Sequence, residues 1–146
     1  MAGLSIHHVA LVVTDLERSI EFYQRVFGLD RLQRPPFSTA GVWLACGELQ
    51  LHLIKYDEGC FRRRPFPDVN DWHFAFRTDD FDGMLNHLVS LGFREDVQEG
   101  DPRLVVVRRT GVAGFPQLYF IDPDNNIIEV NGAPAHQPPL WQPPTN

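Results

Sequence analysis

Cysteine is scarce in this 146-residue chain: only Cys46 and Cys60 are present. Two thiols are too few for a disulfide framework, and they lack Cys-x-x-Cys spacing, so a reduced, cytoplasmic setting is expected. Long apolar runs are missing as well. None approaches the roughly 20 residues a membrane helix needs, and Met1-Ala-Gly-Leu-Ser does not read as a signal peptide. Positive charge is in deficit, with 13 Lys and Arg against 19 Asp and Glu, a net charge of −6 and a pI near 5.4. That balance argues against nucleic acid or an anionic membrane as partner and leaves a small-molecule substrate as the expectation.

What the chain does contain is an internal repeat. His8-Val-Ala-Leu-Val-Val-Thr-Asp-Leu returns 65 residues later as His73-Phe-Ala-Phe-Arg-Thr-Asp-Asp-Phe. His8 overlays His73, Ala10 overlays Ala75, Asp15 overlays Asp80, and Leu16 overlays Phe81. The copies run on through Ile20 and Leu85 to Gly28 and Gly92 with one residue deleted. Each half is marginal alone, so the two should share a core.

Each half begins with a predicted strand: residues 4–13 alternate and are rich in Val, Leu and Ile, and residues 71–78 read as the corresponding strand. Thr14-Asp-Leu-Glu17 fits a capping box, and Leu16, Ile20, Tyr23 and Phe27 recur at helical spacing up to Gly28. Asp79 or Asp80 caps a second helix carrying Phe81, Leu85 and Leu88, stopped at Gly92. Strands are expected near 29–34, 40–46 and 49–55 in the first half. The second half should hold strands near 93–98, 103–109, 117–122 and 126–131. The predicted organisation is a domain over 1–131, built of module one (4–56), a linker (57–70) and module two (71–131). A Pro-rich arm follows at 132–146, with five prolines in its fifteen residues.

Aligning the last strands sets His52 of Gln50-Leu-His-Leu-Ile against Glu129 of Ile127-Ile-Glu-Val-Asn. Two pseudo-symmetric halves would then bring His8, His52, His73 and Glu129 to one axis. Imidazole and carboxylate donors suit a first-row divalent ion, and the set does not choose among Fe, Mn, Co, Ni and Zn.

The repeated βαβββ pattern, the two strand histidines and Tyr119-Phe-Ile-Asp-Pro-Asp-Asn-Asn-Ile-Ile-Glu129-Val resemble the vicinal oxygen chelate superfamily. That group includes glyoxalase I, methylmalonyl-CoA epimerase, fosfomycin-resistance proteins, extradiol dioxygenases and bleomycin-binding proteins. The resemblance spans residues 4–131. It implies an α+β fold, two tandem βαβββ modules forming a curled mixed sheet around a metal cup, with substrate held through neighbouring oxygens. It also implies His8, His73 and Glu129 as metal ligands, and pairing of chains, so a homodimer is expected. His52 stands where glyoxalase I has a ligating, proton-moving glutamate, and is read as fourth ligand or as acid/base. The fosfomycin transferases' threonine is replaced by Ala10. The dioxygenase ending is half present: Leu118-Tyr119-Phe-Ile-Asp122-Pro123 fits, but Asn125 replaces a glycine, and no histidine stands at 110–112.

The resulting expectation is a metal-dependent enzyme of lyase, isomerase or epimerase type acting on a small oxygenated substrate. A ring-cleaving Fe(II) or Mn(II) dioxygenase and a non-catalytic drug- or metabolite-binding protein are the alternatives. Tyr119 is a candidate catalytic residue through its hydroxyl, and Gln50 shares the face of His52. Of Arg108 and Arg109, at most one should look into the cup. Arg62-Arg63-Arg64 reads as a solvated run or as a clamp on an anion. His7, His87 and His136 are expected to lie outside the site.

Overall fold

The first helix is started by an aspartate and stopped by a glycine. Asp15 is extended (φ −135°, ψ 109°) and its carboxylate accepts the backbone N–H of Arg18, satisfying one of the orphan donors of the first turn. Gly28 takes φ 65°, where a side chain would be strained, and its N–H closes on the carbonyl of Gln24. Between them runs α1 (Leu16–Phe27), burying Ser19, Ile20, Tyr23 and Val26 on one face. Asp80 repeats the cap for α2 (Phe81–Ser90), accepting from Gly83 N. The expected Thr14 cap is not used: Thr14 Oγ1 donates to Asp124, 2.5 Å away, and leaves the capping to its neighbour.

The computed structural model describes residues 3–133, so the Pro-rich arm from residue 134 on, with His136 and Trp141, lies outside the described residues, and Gly132, expected to open the arm, ends the last strand. Around the helices stand β1 (His8–Val13), β2 (Arg31–Leu32), β3 (Gly41–Cys46), β4 (Leu49–Lys55), β5 (Phe74–Thr78), β6 (Val106–Arg108), β7 (Gln117–Ile121) and β8 (Ile127–Gly132). They form two four-stranded mixed sheets, in the orders β1-β4-β3-β2 and β5-β8-β7-β6. The α+β, two-module expectation holds. The strand expected at 93–98 does not form; a single bridge, Arg94 to Leu104, is all that remains. Arg94 chelates Asp96 with both arms of its guanidinium, and Asp101-Pro102 turns the chain, Pro102 having no N–H to give to a ladder.

The register carries the repeat into space. In the parallel pair β1–β4, Ala10 lies opposite His52; in the parallel pair β5–β8, Ala75 lies opposite Glu129. Alternation then separates two faces on each sheet. Leu11, Val13, Leu44, Leu51 and Leu53 of the first, with Leu118, Phe120, Ile128 and Val130 of the second, enter one core with both helices. Phe27 of α1 stacks on Phe76 of β5 at 4.1 Å, so the modules share this core. At about 1.5–3 kcal/mol per buried large apolar side chain, it is the main stabilising term. The other faces carry the polar candidates.

A polar clamp locks the modules together. Asp122 accepts the Tyr23 hydroxyl (2.8 Å), Asn126 Nδ2 and the backbone N–H groups of Asp124 and Asn126. Burial pushes its carboxyl above the ordinary range while those donors pull it back. Asp124 accepts from Thr14, from Arg18 Nη2 at 3.1 Å and from Ser19 Oγ. The turn closes on Asn125 at φ 64°, a left-handed conformation that asparagine tolerates, so the missing glycine does not break the hairpin. Asp124→Ala should lower the unfolding free energy by about 2–4 kcal/mol. Glu21→Ala, at an exposed i,i+4 pair with Arg25, should cost about 0.5 kcal/mol or less. Urea unfolding checks both, and equal losses would contradict the clamp.

Candidate metal centre

The four predicted ligands form two pairs. On the first sheet His8 and His52 are stacked, ring centroids 4.1 Å apart and planes inclined by 12°. On the second, His73 Nε2 lies 2.8 Å from Glu129 Oε2. Both pairs sit on the sheet faces opposite the shared core. Among the described residues no cluster of three or more His, Cys, Asp or Glu side chains forms. The single four-residue nest expected within one chain is therefore not what the chain builds. The two pairs stay separate within the chain, although Val9 and Gln50 of the first sheet line one cavity with His73 and Ala75 of the second.

Local contacts decide the protonation of each donor. His73 Nδ1 is 2.7 Å from the carbonyl of Asp71; a carbonyl only accepts, so Nδ1 carries a proton. In a neutral ring Nε2 is then a bare lone pair, and it faces a carboxylate oxygen at contact distance. Two acceptors at 2.8 Å require a proton or a cation between them, and this is the feature of the site that fits a metal.

Glu129, 6% exposed, is held rigidly. Its Oε1 accepts from the Tyr119 hydroxyl (2.9 Å) and from Gln117 Nε2 (2.5 Å), leaving Oε2 toward His73. Burial, the hydrogen bond to Glu129 and its charge push the Tyr119 phenol up to about 12. Gln117 was not singled out in the sequence; its place two residues before Tyr119, opposite Asn131, is a register property.

In the other pair, His52 is enclosed by the indole of Trp43 (4.4 Å, 8°) on one side and His8 on the other. Its Nε2 lies 2.8 Å from Gln50 Oε1. Donation to that oxygen leaves Nδ1 as the basic nitrogen. Burial first, then the neighbouring histidines and Arg34, lower its pKa. His8 Nδ1 is 3.0 Å from His7 Nδ1, so His7 touches the site instead of standing apart from it. His87 stays away, bonded to the carbonyl of Arg25.

The arginine expectations divide. Arg108 lies over the Tyr119 ring at 5.9 Å, on the ligand face, while Arg109 binds Glu95 at 2.6 Å. Arg62 and Arg64 are engaged with Asp71 and Glu99, which leaves little of the triple-arginine run to clamp an anion.

Two tandem βαβββ modules, each with a histidine at its opening strand beside a polar residue of its closing strand, define the class of fold. The Glyoxalase/Bleomycin resistance protein/Dioxygenase superfamily model matches residues 5–130, and the chain belongs to this family. It is 28% identical to the glutathione transferase FosA of Serratia marcescens over 87% of this chain and 79% of that one. It is 30% identical to the metallothiol transferase FosB of Lysinibacillus sphaericus, over 88% of this chain and 82% of that one. The solved lactoylglutathione lyase of Agrobacterium tumefaciens superposes with a TM-score of 0.64 at 26% identity, over 90% of this chain and 96% of that one.

The raised phenol gives a direct check on the Glu129 side. In metal-free protein an ultraviolet titration should show an ionisation near pH 12 that Tyr119→Phe removes and Glu129→Gln moves lower. A Tyr119 step unmoved by Glu129→Gln would contradict the contact.

Proposed function

We propose that this chain is a divalent-metal-dependent enzyme acting on a small oxygenated substrate by lyase, isomerase or epimerase chemistry. His8, His73 and Glu129 are its ligands, and His52 stands at the fourth position as the proton-moving group. The reading rests on one observation: His73 Nε2 faces Glu129 Oε2 at 2.8 Å while its Nδ1 is committed to a carbonyl. The similarity to transferases and a lyase supports an enzyme over a passive binder.

A homodimer completes the site in this proposal, setting the His8–His52 face of one copy against the His73–Glu129 face of the other. Two features support it. Strands β1 and β5 are both sheet edges with one side unpaired. Exposed apolar groups stand near the pairs, with Ile6 69%, Phe37 56% and Trp72 76% exposed.

A divalent ion held there would supply Lewis-acid polarisation of a substrate oxygen. The remaining work belongs to the protein. Tyr119 and Gln117 fix the orientation of Glu129, and the Asp71 carbonyl fixes the tautomer of His73. Gln50 leaves the lone pair on His52 Nδ1, and the lowered pKa of the ring keeps it neutral at neutral pH, the form in which that lone pair acts as a base.

Metal analysis of protein purified without added metal tests the proposal. The parent should carry a first-row ion. His8→Ala, His73→Ala and Glu129→Ala should lose it, while His52→Ala should retain it and lose solvent deuterium exchange into a ketone or aldehyde substrate. Full occupancy in the His73 or Glu129 variant would overturn the ligand assignment. Iron with air-sensitive activity would favour the dioxygenase reading.

A further inference from the structure

Residues 62–64 are three arginines in a row, and the first of them turns inward. The Arg62 side chain is 17% exposed against 66% for Arg64, and Arg63 is exposed as well. Taking a guanidinium out of water is costly unless its donors are met. Arg62 spends them on one short segment. It pairs with the Asp71 carboxylate, donates to the Trp72 carbonyl and lies over the Trp72 indole at 5.4 Å. Its own carbonyl accepts Asn125 Nδ2 at 2.9 Å, which ties the linker to the β7–β8 turn. Arg62, Trp72, His73 and Asn126 line one cavity.

The segment that Arg62 grips is the one that sets His73. The opening histidines of the two modules are held differently. His8 lies within β1, paired with Gln50, whereas β5 begins at Phe74, so the ladder stops short of His73. The ring is held instead by the peptide unit between Asp71 and Trp72. Its carbonyl takes the Nδ1 proton at 2.7 Å, and its N–H donates to the Asp71 carboxylate, also at 2.7 Å. That second bond polarises the unit and makes its carbonyl a better acceptor. A competitor is close: Glu129 Oε2 lies 2.8 Å from Nε2. A bond to a carboxylate is roughly twice as strong as one to a neutral carbonyl. A neutral ring left to itself therefore puts its proton on Nε2 and turns the lone pair away from the ion site.

We infer that Arg62 is a positioning residue for the His73 tautomer: by clamping Asp71 and Trp72 it keeps the Asp71 carbonyl on Nδ1 and leaves Nε2 as the lone pair facing Glu129. The guanidinium acts through the peptide unit and not on the ring. The inference rests on the proposed function only for the use of that lone pair, as a metal ligand; the placement of the proton stands apart from it.

Long-range proton–nitrogen NMR of the metal-free full chain, at a pH where the His73 ring is neutral, reads which nitrogen carries the proton. Nδ1 should be protonated in the parent. In Arg62→Gln the proton should pass to Nε2, moving the Nδ1 resonance into the unprotonated range, and Asp71→Asn should shift it the same way by a smaller amount. Arg62→Lys, which keeps the charge and loses the fork, should fall between, and Arg63→Gln should match the parent. Arg62→Gln should also weaken first-row metal binding by roughly tenfold to a hundredfold. Nδ1 as fully protonated in Arg62→Gln and Asp71→Asn as in the parent, whatever their melting temperatures, would leave Arg62 a merely structural residue and overturn the inference. A bare Nδ1 in the parent would overturn it too. A parent that takes up no metal while Arg62→Gln still moves the proton sinks only the ligand assignment. Metal lost from Arg62→Gln with the ring unmoved sinks only the positioning role.

Discussion

Everything at this site depends on the parallel pairing of the first and last strand of each module. A parallel pair needs a long crossover, and α1 with β2 and β3 supplies it in one half, α2 with β6 and β7 in the other. The pairing fixes Ala10 opposite His52 and Ala75 opposite Glu129, which lays the opening histidine of each module beside the donor of its closing strand. A slip of one residue would turn every one of these side chains into the apolar core. The hydrophobic alternation that stabilises the sheets is therefore also what aims the ligands.

The two halves are alike in plan and different in chemistry. In the second, a fixed carboxylate opposes a histidine whose tautomer is set by a backbone carbonyl. In the first, a neutral imidazole is packed between an indole and another imidazole and held by an amide. One half sets a carboxylate oxygen against an imidazole nitrogen; the other offers a basic nitrogen in a partly dry setting. The Asp-Pro-Asp segment, which looks like a site motif in the sequence, works elsewhere. Asp122 and Asp124 face Tyr23, Thr14 and Ser19 and hold β7–β8 against α1.

Much of this was legible from residue order. Alignment of the copies made His8 equivalent to His73 and His52 equivalent to Glu129, because each module closes on a strand parallel to the one that opens it, although the chain between those strands differs in length. Alternation correctly put Arg108 and Arg109 on opposite faces. Three things were not legible. The outer strand at 93–98 collapsed to a bridge because side-chain ion pairing and Pro102 override a weak β pattern. Thr14 left its cap because a partner 110 residues away competes for its hydroxyl, and no local window contains that contact. The arrangement of the pairs within one chain depends on which faces the modules bury against each other. Phe22, Phe27, Phe76 and Phe120 decide that through tertiary packing, which periodicity alone does not encode.

The central claim is that a working centre is assembled from the first sheet of one copy and the second sheet of another. Complementation measures it most directly: co-express a His8→Ala/His52→Ala chain with a His73→Ala/Glu129→Ala chain, isolate the heterodimer by two tags, and determine its metal content. The account predicts metal-free homodimers of either variant and one ion in the heterodimer, where one intact pair of each kind meets. A heterodimer as empty as its parents would contradict it.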